Sequence, residues 1–216
     1  LLSRPVNYLT YSVAARDGRE HEVEVYFEAS PRWALDQPYQ QSASKGYEAD
    51  GLLYLKSGSK EQNILAKQGD DLRIDWGYFY MVAGKENTAY SVGNSTELRK
   101  NFVNGTLNSA SLEGEDSNGN MALVRSHGKV KNVTDKIMLG YDDIYSIQYF
   151  GTNLRPYWNS KGDRTIEAEM LAAYNEYDKL LARCYAFDKK LMEDASAAGG
   201  KEYAELCALA YRQSIA

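Results

Sequence analysis

The sequence predicts a mainly β protein with a C-terminal α region, in which an antiparallel β-sandwich is followed by a long helix and a truncated helical hairpin. Over residues 7–149, short runs that alternate polar and apolar residues are separated by Gly, Asn, Ser and Asp clusters, a pattern typical of antiparallel sheets. From Ile166 onward, apolar residues recur instead at helical spacing. Gly199 and Gly200 interrupt this pattern, and a second amphipathic stretch follows them.

The first two strands show the clearest alternation. Leu9, Tyr11 and Val13 alternate with polar residues, and a similar stretch at residues 23–27 follows the turn dipeptide Asp17-Gly18, which predicts a β-hairpin. Further strands are predicted at residues 52–56, 64–67, 73–83, 121–125, 136–141 and 144–149. A short helix is predicted at residues 96–102, with Ser95 or Thr96 as its N-cap.

The composition changes after Trp158, and this change predicts the domain boundary. Residues 1–158 are expected to form the β-sandwich domain, and residues 159–216 a linker helix and the first helices of a helical, α/α-barrel-like domain. Asp163 is a good N-cap for a helix that continues to Ala198, about three times the average helix length. We expect the apolar stripe of this helix to pack on the sandwich. The stripe consists of Ile166, Met170, Tyr174, Tyr177 and Leu181.

Both ends of the chain lead us to expect a fragment of a longer protein. The last helix still carries its apolar stripe at Ala216, without a stop signal. At the other end, the sequence starts at Leu1 with neither an initiator Met nor the pattern of a signal peptide. We therefore expect the partner of this chain to be the remainder of the same polypeptide, a helical domain that is truncated here.

The overall composition excludes two classes of partner. The 216 residues are 44% hydrophobic and 25% charged, as in an ordinary globular protein. No apolar run approaches the roughly 20 residues of a membrane span. The net charge of −5 and the absence of Lys and Arg clusters argue against nucleic-acid binding. The composition does not predict the oligomeric state.

The two cysteines, Cys184 and Cys207, flank the glycine pair. In an antiparallel hairpin that turns at Gly199, they would lie out of register by about 7 residues, or about 10 Å along the helix axis. A disulfide requires Cα atoms within about 7 Å of each other. We therefore predict two buried free thiols, which leave the redox compartment open.

Common cofactor and metal motifs are absent, so we expect no cofactor and no metal. The chain has no phosphate-binding loop, dinucleotide fingerprint, H-E-x-x-H or C-x-x-C motif. Residues 116–120 have D-x-N-x-N spacing but lack the Gly and Glu of a calcium loop, which indicates a polar turn. On a strand, Asp71, Arg73 and Asp75 would neutralise one another. His21 and His127 are expected to be structural or surface residues, so the catalytic residues remain unknown.

One constellation resembles a small-molecule binding surface. Asp142 and Asp143 precede a series of aromatic residues that includes Tyr149 and Trp158. Paired carboxylates accept hydrogen bonds from amines or hydroxyls, and aromatic rings cover apolar faces of a ligand. We predict that these four residues bind substrate. The alternative interpretation is that the rings only fill the junction between the β and α regions.

Four segments in order along the chain resemble the glutaminase A family of secreted fungal and bacterial proteins. They are residues 4–13 (RPVNYLTYSV), 70–78 (DDLRIDWGY), 142–151 (DDIYSIQYFG) and 198–213, which contains AGG and YAELCALAYRQ. The resemblance spans nearly the whole chain. It implies a sandwich followed by a helical domain similar to those of six-hairpin glycosidases, a secreted or periplasmic location, and hydrolysis of L-glutamine to L-glutamate and ammonia.

A second function remains open from the sequence. The glycosidase-like architecture of the family, together with 18 Tyr and 3 Trp residues, is also compatible with a carbohydrate-binding or accessory module. The orientation of Trp33, Trp76 and Trp158 distinguishes the two, because a row of exposed, coplanar rings would indicate sugar binding. In either case we expect this chain alone to be catalytically inactive.

Overall fold

The computed structural model describes residues 3–70, 72–107 and 119–214, and these residues form ten strands and two α-helices. The strands are β1 (Val6–Ala14), β2 (His21–Ala29), β3 (Ser42–Ala49), β4 (Leu52–Ser59), β5 (Tyr78–Gly84), β6 (Thr88–Gly93), β7 (Asn120–Val130), β8 (Asn132–Asp142), β9 (Ile147–Tyr149) and β10 (Thr152–Leu154). The helices are α1 (Ser95–Val103) and α2 (Ile166–Ser214), and short 3₁₀ turns lie at Pro31–Ala34 and Tyr157–Asn159.

Two antiparallel sheets form the predicted sandwich. One sheet has the order β1-β8-β5-β4-β3, the other has the order β2-β7-β6, and β9 and β10 form a separate hairpin. Side chains from both larger sheets interdigitate in one apolar core. Its central members include Leu53, Leu55, Phe79, Met81, Val92, Met121, Leu123 and Ile137. The predicted fold class, an antiparallel β-sandwich followed by a helical region, is confirmed.

The predicted hairpin between the first two strands is wrong. Gly18 adopts the left-handed conformation of a turn (φ 71°), but β1 pairs with β8 and β2 pairs with β7. The connection therefore passes from one sheet to the other. Alternation shows which face of a strand is buried, whereas the identity of its neighbour depends on contacts that are distant in sequence.

The other predicted strands and the predicted short helix agree with the structure in part. The strands predicted at residues 52–56, 121–125 and 136–141 lie within β4, β7 and β8. Residues 64–67 are not a strand, residues 73–77 precede β5, and only Ile147–Tyr149 of the segment 144–149 is a strand. Helix α1 is capped by Asn94, which accepts the Thr96 N–H at 2.9 Å. Asp71 and residues 108–118, which include most of the rejected calcium loop, lie outside the described residues.

The start of α2 lies against the outer side of the five-stranded sheet. Thr165, and not the expected Asp163, caps the helix by accepting the Ala168 N–H at 3.2 Å. The buried Glu169 pairs with Arg4 at 3.3 Å and with Arg164 at 2.9 Å. These contacts fix the first turn of the helix against the chain that leads into β1.

Two members of the predicted apolar stripe are buried at this helix start. Ile166 is 3% exposed and Met170 is fully buried. The Met170 side chain lies directly over Gly140 in β8. The packing predicted for the stripe beyond residue 171 stays a prediction.

The chain divides into two compact units, residues 1–171 and 172–216, and the second is a helical hairpin. Helix α2 is broken at Gly200, whose φ of 82° and ψ of −176° are not helical. The Phe187 and Tyr211 rings are 5.0 Å apart, although 24 residues of straight helix would separate them by about 36 Å. The predicted hairpin is therefore confirmed.

The cysteines of this unit match the expectation in one respect. Both are free thiols, but Cys184 is exposed and Cys207 is only partly buried, so the expected burial is wrong.

Among the described helices, none is both long enough and apolar enough to span a membrane.

An ionic cluster of two carboxylates and the exposed Lys67 holds the segment that precedes β5. Lys67 Nζ donates to Asp36 at 3.2 Å and to Asp75 at 3.1 Å, and Gln40 Nε2 donates to Asp75 at 2.9 Å. Both carboxylates are buried. The hydrogen bond from Lys67 holds the pKa of Asp36 below its usual range. The expected neutralisation along one strand is wrong, because residues 73–77 are not a strand and Lys67 supplies the positive charge.

A second polar network connects the two sheets. Tyr11 of β1 donates to Asp135 of β8 at 3.2 Å and contacts His127 Nε2 of β7 at 2.8 Å. Arg125 of β7 also pairs with Asp135, at 2.8 Å. His127 thus lies in a hydrogen-bonded structural setting, as the sequence predicts for it.

Substituting Gly140 with Ala is expected to destabilise the protein by about 1–3 kcal/mol, the usual effect of overpacking. A methyl group at this position would collide with the Met170 side chain and the Pro5 carbonyl. Gly93→Ala is the matched control in β6, where the new methyl group would meet only Leu98 at 3.9 Å, so a change below about 0.5 kcal/mol is expected. Urea unfolding of both variants measures the difference, and equal free energies of unfolding would contradict the close packing over Gly140.

Substituting Lys67 with Met is expected to lower the urea midpoint at pH 7 more than Lys85→Met does. The reason is that Lys67 pairs with two buried carboxylates, whereas Lys85 pairs with Glu48 on the exposed surface. The depressed pKa of Asp36 means that its contribution to stability is present above about pH 4 and is lost as the pH falls through the folded-state pKa. The difference between wild type and Lys67→Met should therefore shrink between pH 7 and pH 3. A difference that is independent of pH would argue against this linkage.

Candidate functional site

The candidate site lies on the outer face of the five-stranded sheet, the face opposite the sandwich core. Core residues such as Leu55, Met81 and Ile137 point inward, so their sequence neighbours point outward. The strand register brings outward side chains of β3, β4, β5 and β8 together. We call this set, with one residue from α2, the outer-face cluster: Lys45, Tyr47, Tyr54, Lys56, Tyr78, Tyr80, Asp142 and Glu167.

Lys56 lies across two aromatic rings of the cluster. Its Nζ is 3.6 Å from the centre of the Tyr78 ring and 5.6 Å from that of Tyr80. The side chain is half-buried, and burial lowers the pKa of Lys56, assisted by the positive charge of Lys45. Contact with ring faces stabilises the ammonium group without neutralising its charge.

Glu167 connects α2 to the tyrosines of the cluster. The Tyr47 hydroxyl donates to Glu167 Oε1 at 2.6 Å, and the Tyr54 hydroxyl donates to the Glu167 main-chain carbonyl at 3.4 Å. The two rings stack 5.1 Å apart. Burial raises the pKa of Tyr47, and it raises that of Tyr54 to about 12, so both phenols are neutral donors near pH 7.

Asp142 supplies a carboxylate at the end of β8. It is half-buried, and its Oδ1 accepts the Ile144 N–H at 3.0 Å. Burial raises the pKa of Asp142, and the adjacent charge of Asp143 acts in the same direction. Among the described residues, neither Asp142 nor Lys56 has an ion-pair partner. The cluster therefore presents an anion and a cation, both partly desolvated.

The other three predicted site residues lie in different settings. Asp143 accepts the Ser146 hydroxyl at 2.6 Å, and its main-chain carbonyl accepts the Trp76 Nε1–H at 2.8 Å. Tyr149 is 61% exposed on the β9–β10 hairpin. Trp158 is buried in the second 3₁₀ turn and lines a shallow cleft of about 340 Å³. The structure thus places only Asp142 in the outer-face cluster, and substrate binding by all four stays a prediction.

Sequence reasoning did not identify Lys56, Tyr47 and Glu167 as site residues. Lys56 offered a signal, since it is a lone charge at the end of an otherwise apolar run. Tyr47 and Glu167 offered none, because they are 120 residues apart and meet only in the folded chain.

Possible metal ligands and the three tryptophans are both scattered over the described residues. In the part of the chain that the structure describes, no three His, Cys, Asp or Glu side chains lie close enough together to hold a metal ion. Trp33 is 63% exposed and packs on Phe79, Trp76 is partly buried and hydrogen-bonded, and Trp158 is 7% exposed. These three rings therefore do not form an exposed row.

Substituting Tyr47 with Phe is expected to lower the free energy of unfolding by about 1 kcal/mol, because a short bond to a carboxylate is lost in a half-exposed setting. Tyr54→Phe is the matched control, since its bond to a carbonyl is 3.4 Å long and correspondingly weak. Thermal unfolding at pH 7 compares the two variants. A larger loss for Tyr54→Phe would show that the Tyr47 bond does not fix the start of α2.

Comparison with known proteins places this fold in a family. In an alignment 227 residues long, the chain is 26% identical to the protein named Glutaminase A from Aspergillus oryzae (strain ATCC 42149 / RIB 40). The match covers 97% of this chain and 32% of that protein, so the chain spans about a third of the length of this distant relative. Residues 1–194 match the family model described as "Domain of unknown function (DUF5127)", and the chain therefore belongs to the DUF5127 family.

Proposed function

We propose that this chain is the β-sandwich part of a glutaminase-like hydrolase that converts L-glutamine and water into L-glutamate and ammonia. The observation that supports this function is the similarity to Glutaminase A across 97% of the chain. In this proposal, residues 1–158 are the sandwich domain and residues 159–216 are the linker helix and the first helices of a helical domain. A secreted or periplasmic location follows from the same resemblance.

Amide hydrolysis defines what the rest of such an enzyme must supply. It requires a nucleophile or an activated water, a proton donor for the leaving ammonia, and donors for the developing oxyanion. The two histidines of this chain are the obvious candidates for a proton-transfer group, but in the described residues each is hydrogen-bonded to another side chain. His21 contacts Asp17, and His127 contacts Tyr11. We therefore assign substrate positioning to the sandwich and the reacting groups to the helical domain. The chain aligns with 32% of Glutaminase A, and the rest of that protein has ample length for such a domain.

The carbohydrate-binding alternative has less support. A sugar platform needs aromatic rings that lie open and side by side. Of the three tryptophans, only Trp33 is largely exposed, and its ring packs against Phe79 at 5.0 Å. Glutamine hydrolysis therefore remains our proposal for the longer protein.

The 216-residue chain alone is expected to release no ammonia from L-glutamine, whereas a longer protein that carries this chain and its helical domain is expected to do so. The physical reason is that hydrolysis needs several preorganised groups in one pocket. A coupled ammonia assay compares both proteins with heat-inactivated samples. Turnover by the chain alone would contradict the division of roles, and no turnover by the longer protein would contradict glutaminase function.

A further inference from the structure

Two opposite charges without ion-pair partners flank one aromatic ring on the outer-face cluster. Tyr78 of β5 lies directly opposite Asp142 of β8 in the strand register. Lys56 of β4 reaches towards the same ring, and its Nζ is 3.6 Å from the ring centre. Asp142 and Lys56 are both half-buried, and burial raises the pKa of Asp142 and lowers the pKa of Lys56.

Two half-buried charges are unfavourable unless other interactions replace their hydration. Partial burial removes water from an ion, and a close ion pair normally compensates the lost hydration free energy. Here the nearest compensation for Lys56 is the face of Tyr78, and for Asp142 it is one main-chain N–H from Ile144. Both ions retain the capacity for a strong, charge-assisted hydrogen bond to a ligand.

We propose that Lys56 and Asp142 bind a free α-amino acid, with Asp142 accepting the α-ammonium group and Lys56 donating to the α-carboxylate. An α-amino acid carries both charges on one carbon, so it matches a cation and an anion that flank one ring. The partly exposed ring of Tyr78 supplies an apolar wall beside it. This inference rests on the proposed function, since it places the amino-acid end of glutamine on the sandwich.

The surrounding charges restrict the ligand further. Lys45 lies opposite Lys56 in the register of β3 and β4, so two cations favour the carboxylate end. Glu167 is also an anion of the cluster, but its Oε1 already accepts the Tyr47 hydroxyl. A residue inside a peptide presents neither charge, and a peptide terminus presents only one. The site therefore fits a free amino acid better than a peptide.

Isothermal titration calorimetry of the 216-residue chain with L-glutamine, N-acetyl-L-glutamine and L-glutamine methyl ester tests the site without any substitution. N-acetylation removes the ammonium charge, and the ester removes the carboxylate charge. We expect L-glutamine to bind about tenfold or more tightly than either derivative, because each lacks one charge-assisted bond. Equal binding of all three compounds, or no binding of L-glutamine, would overturn the inference.

Substitutions then assign each charge to its residue. In Asp142→Asn the preference for L-glutamine over the N-acetyl derivative is expected to fall to about twofold or less, while the preference over the methyl ester remains. Lys56→Met should show the reverse pattern. Lys129→Met and Glu22→Gln, which change exposed charges on the other sheet, serve as controls and should leave both preferences unchanged. Circular dichroism verifies that each variant is folded.

The outcomes separate this inference from the proposed function. Selective binding of L-glutamine that depends on Lys56 and Asp142 supports the site even if the longer protein releases no ammonia. Ammonia release by the longer protein, together with unchanged preferences in both variants, would overturn the site and leave the hydrolase function standing. Loss of both preferences in a single variant would also overturn the assignment of one charge to each residue.

Discussion

The rest of the structure depends on the burial of β4, β5 and β8 on both faces. Leu55, Met81 and Ile137 fill the sandwich core from one side, while Tyr54, Tyr80 and Met138 are buried on the other. A sheet that is covered twice cannot show simple polar and apolar alternation. The outer side must therefore satisfy its polar atoms locally, and the Tyr47 and Tyr54 hydroxyls do so through Glu167 at the start of α2. The sandwich core, the position of the start of α2 and the candidate site therefore all depend on the burial of this sheet on both faces.

Much of the fold follows from the sequence because its causes are local. Strand positions in β4, β7 and β8, helix α1 and the reversal at Gly200 all reflect patterns within a few residues. The pairing of β1 with β8 has no such pattern, since the turn at Gly18 looks the same whether it joins strands of one sheet or of two. Strand β3 escaped prediction because its inward residues are Ser42, Ser44 and Gly46, which carry no apolar signal.

The candidate site is less predictable than the fold for a related reason. Asp142 was visible because two adjacent carboxylates precede aromatic residues in the sequence. Its neighbours Lys56 and Tyr78 come from other strands, and their proximity depends on the register across three strands. Asp143, next to Asp142 in sequence, is directed to Ser146 instead. Adjacency in sequence is therefore a weak guide here, because β8 ends at Asp142 and Asp143 belongs to the segment that follows the strand.

The pairing of β1 with β8 has a kinetic consequence. Its Cα partners range from Ala14 with Asn132 to Val6 with Gly140, so 118 to 134 residues of chain separate the two strands. Closing such a loop is entropically unfavourable, and long-range pairings of this kind form slowly. Until β1 docks, β8 is an open edge whose backbone groups can pair with another molecule. Productive folding therefore competes with association between chains, and dilute conditions would favour the monomeric route.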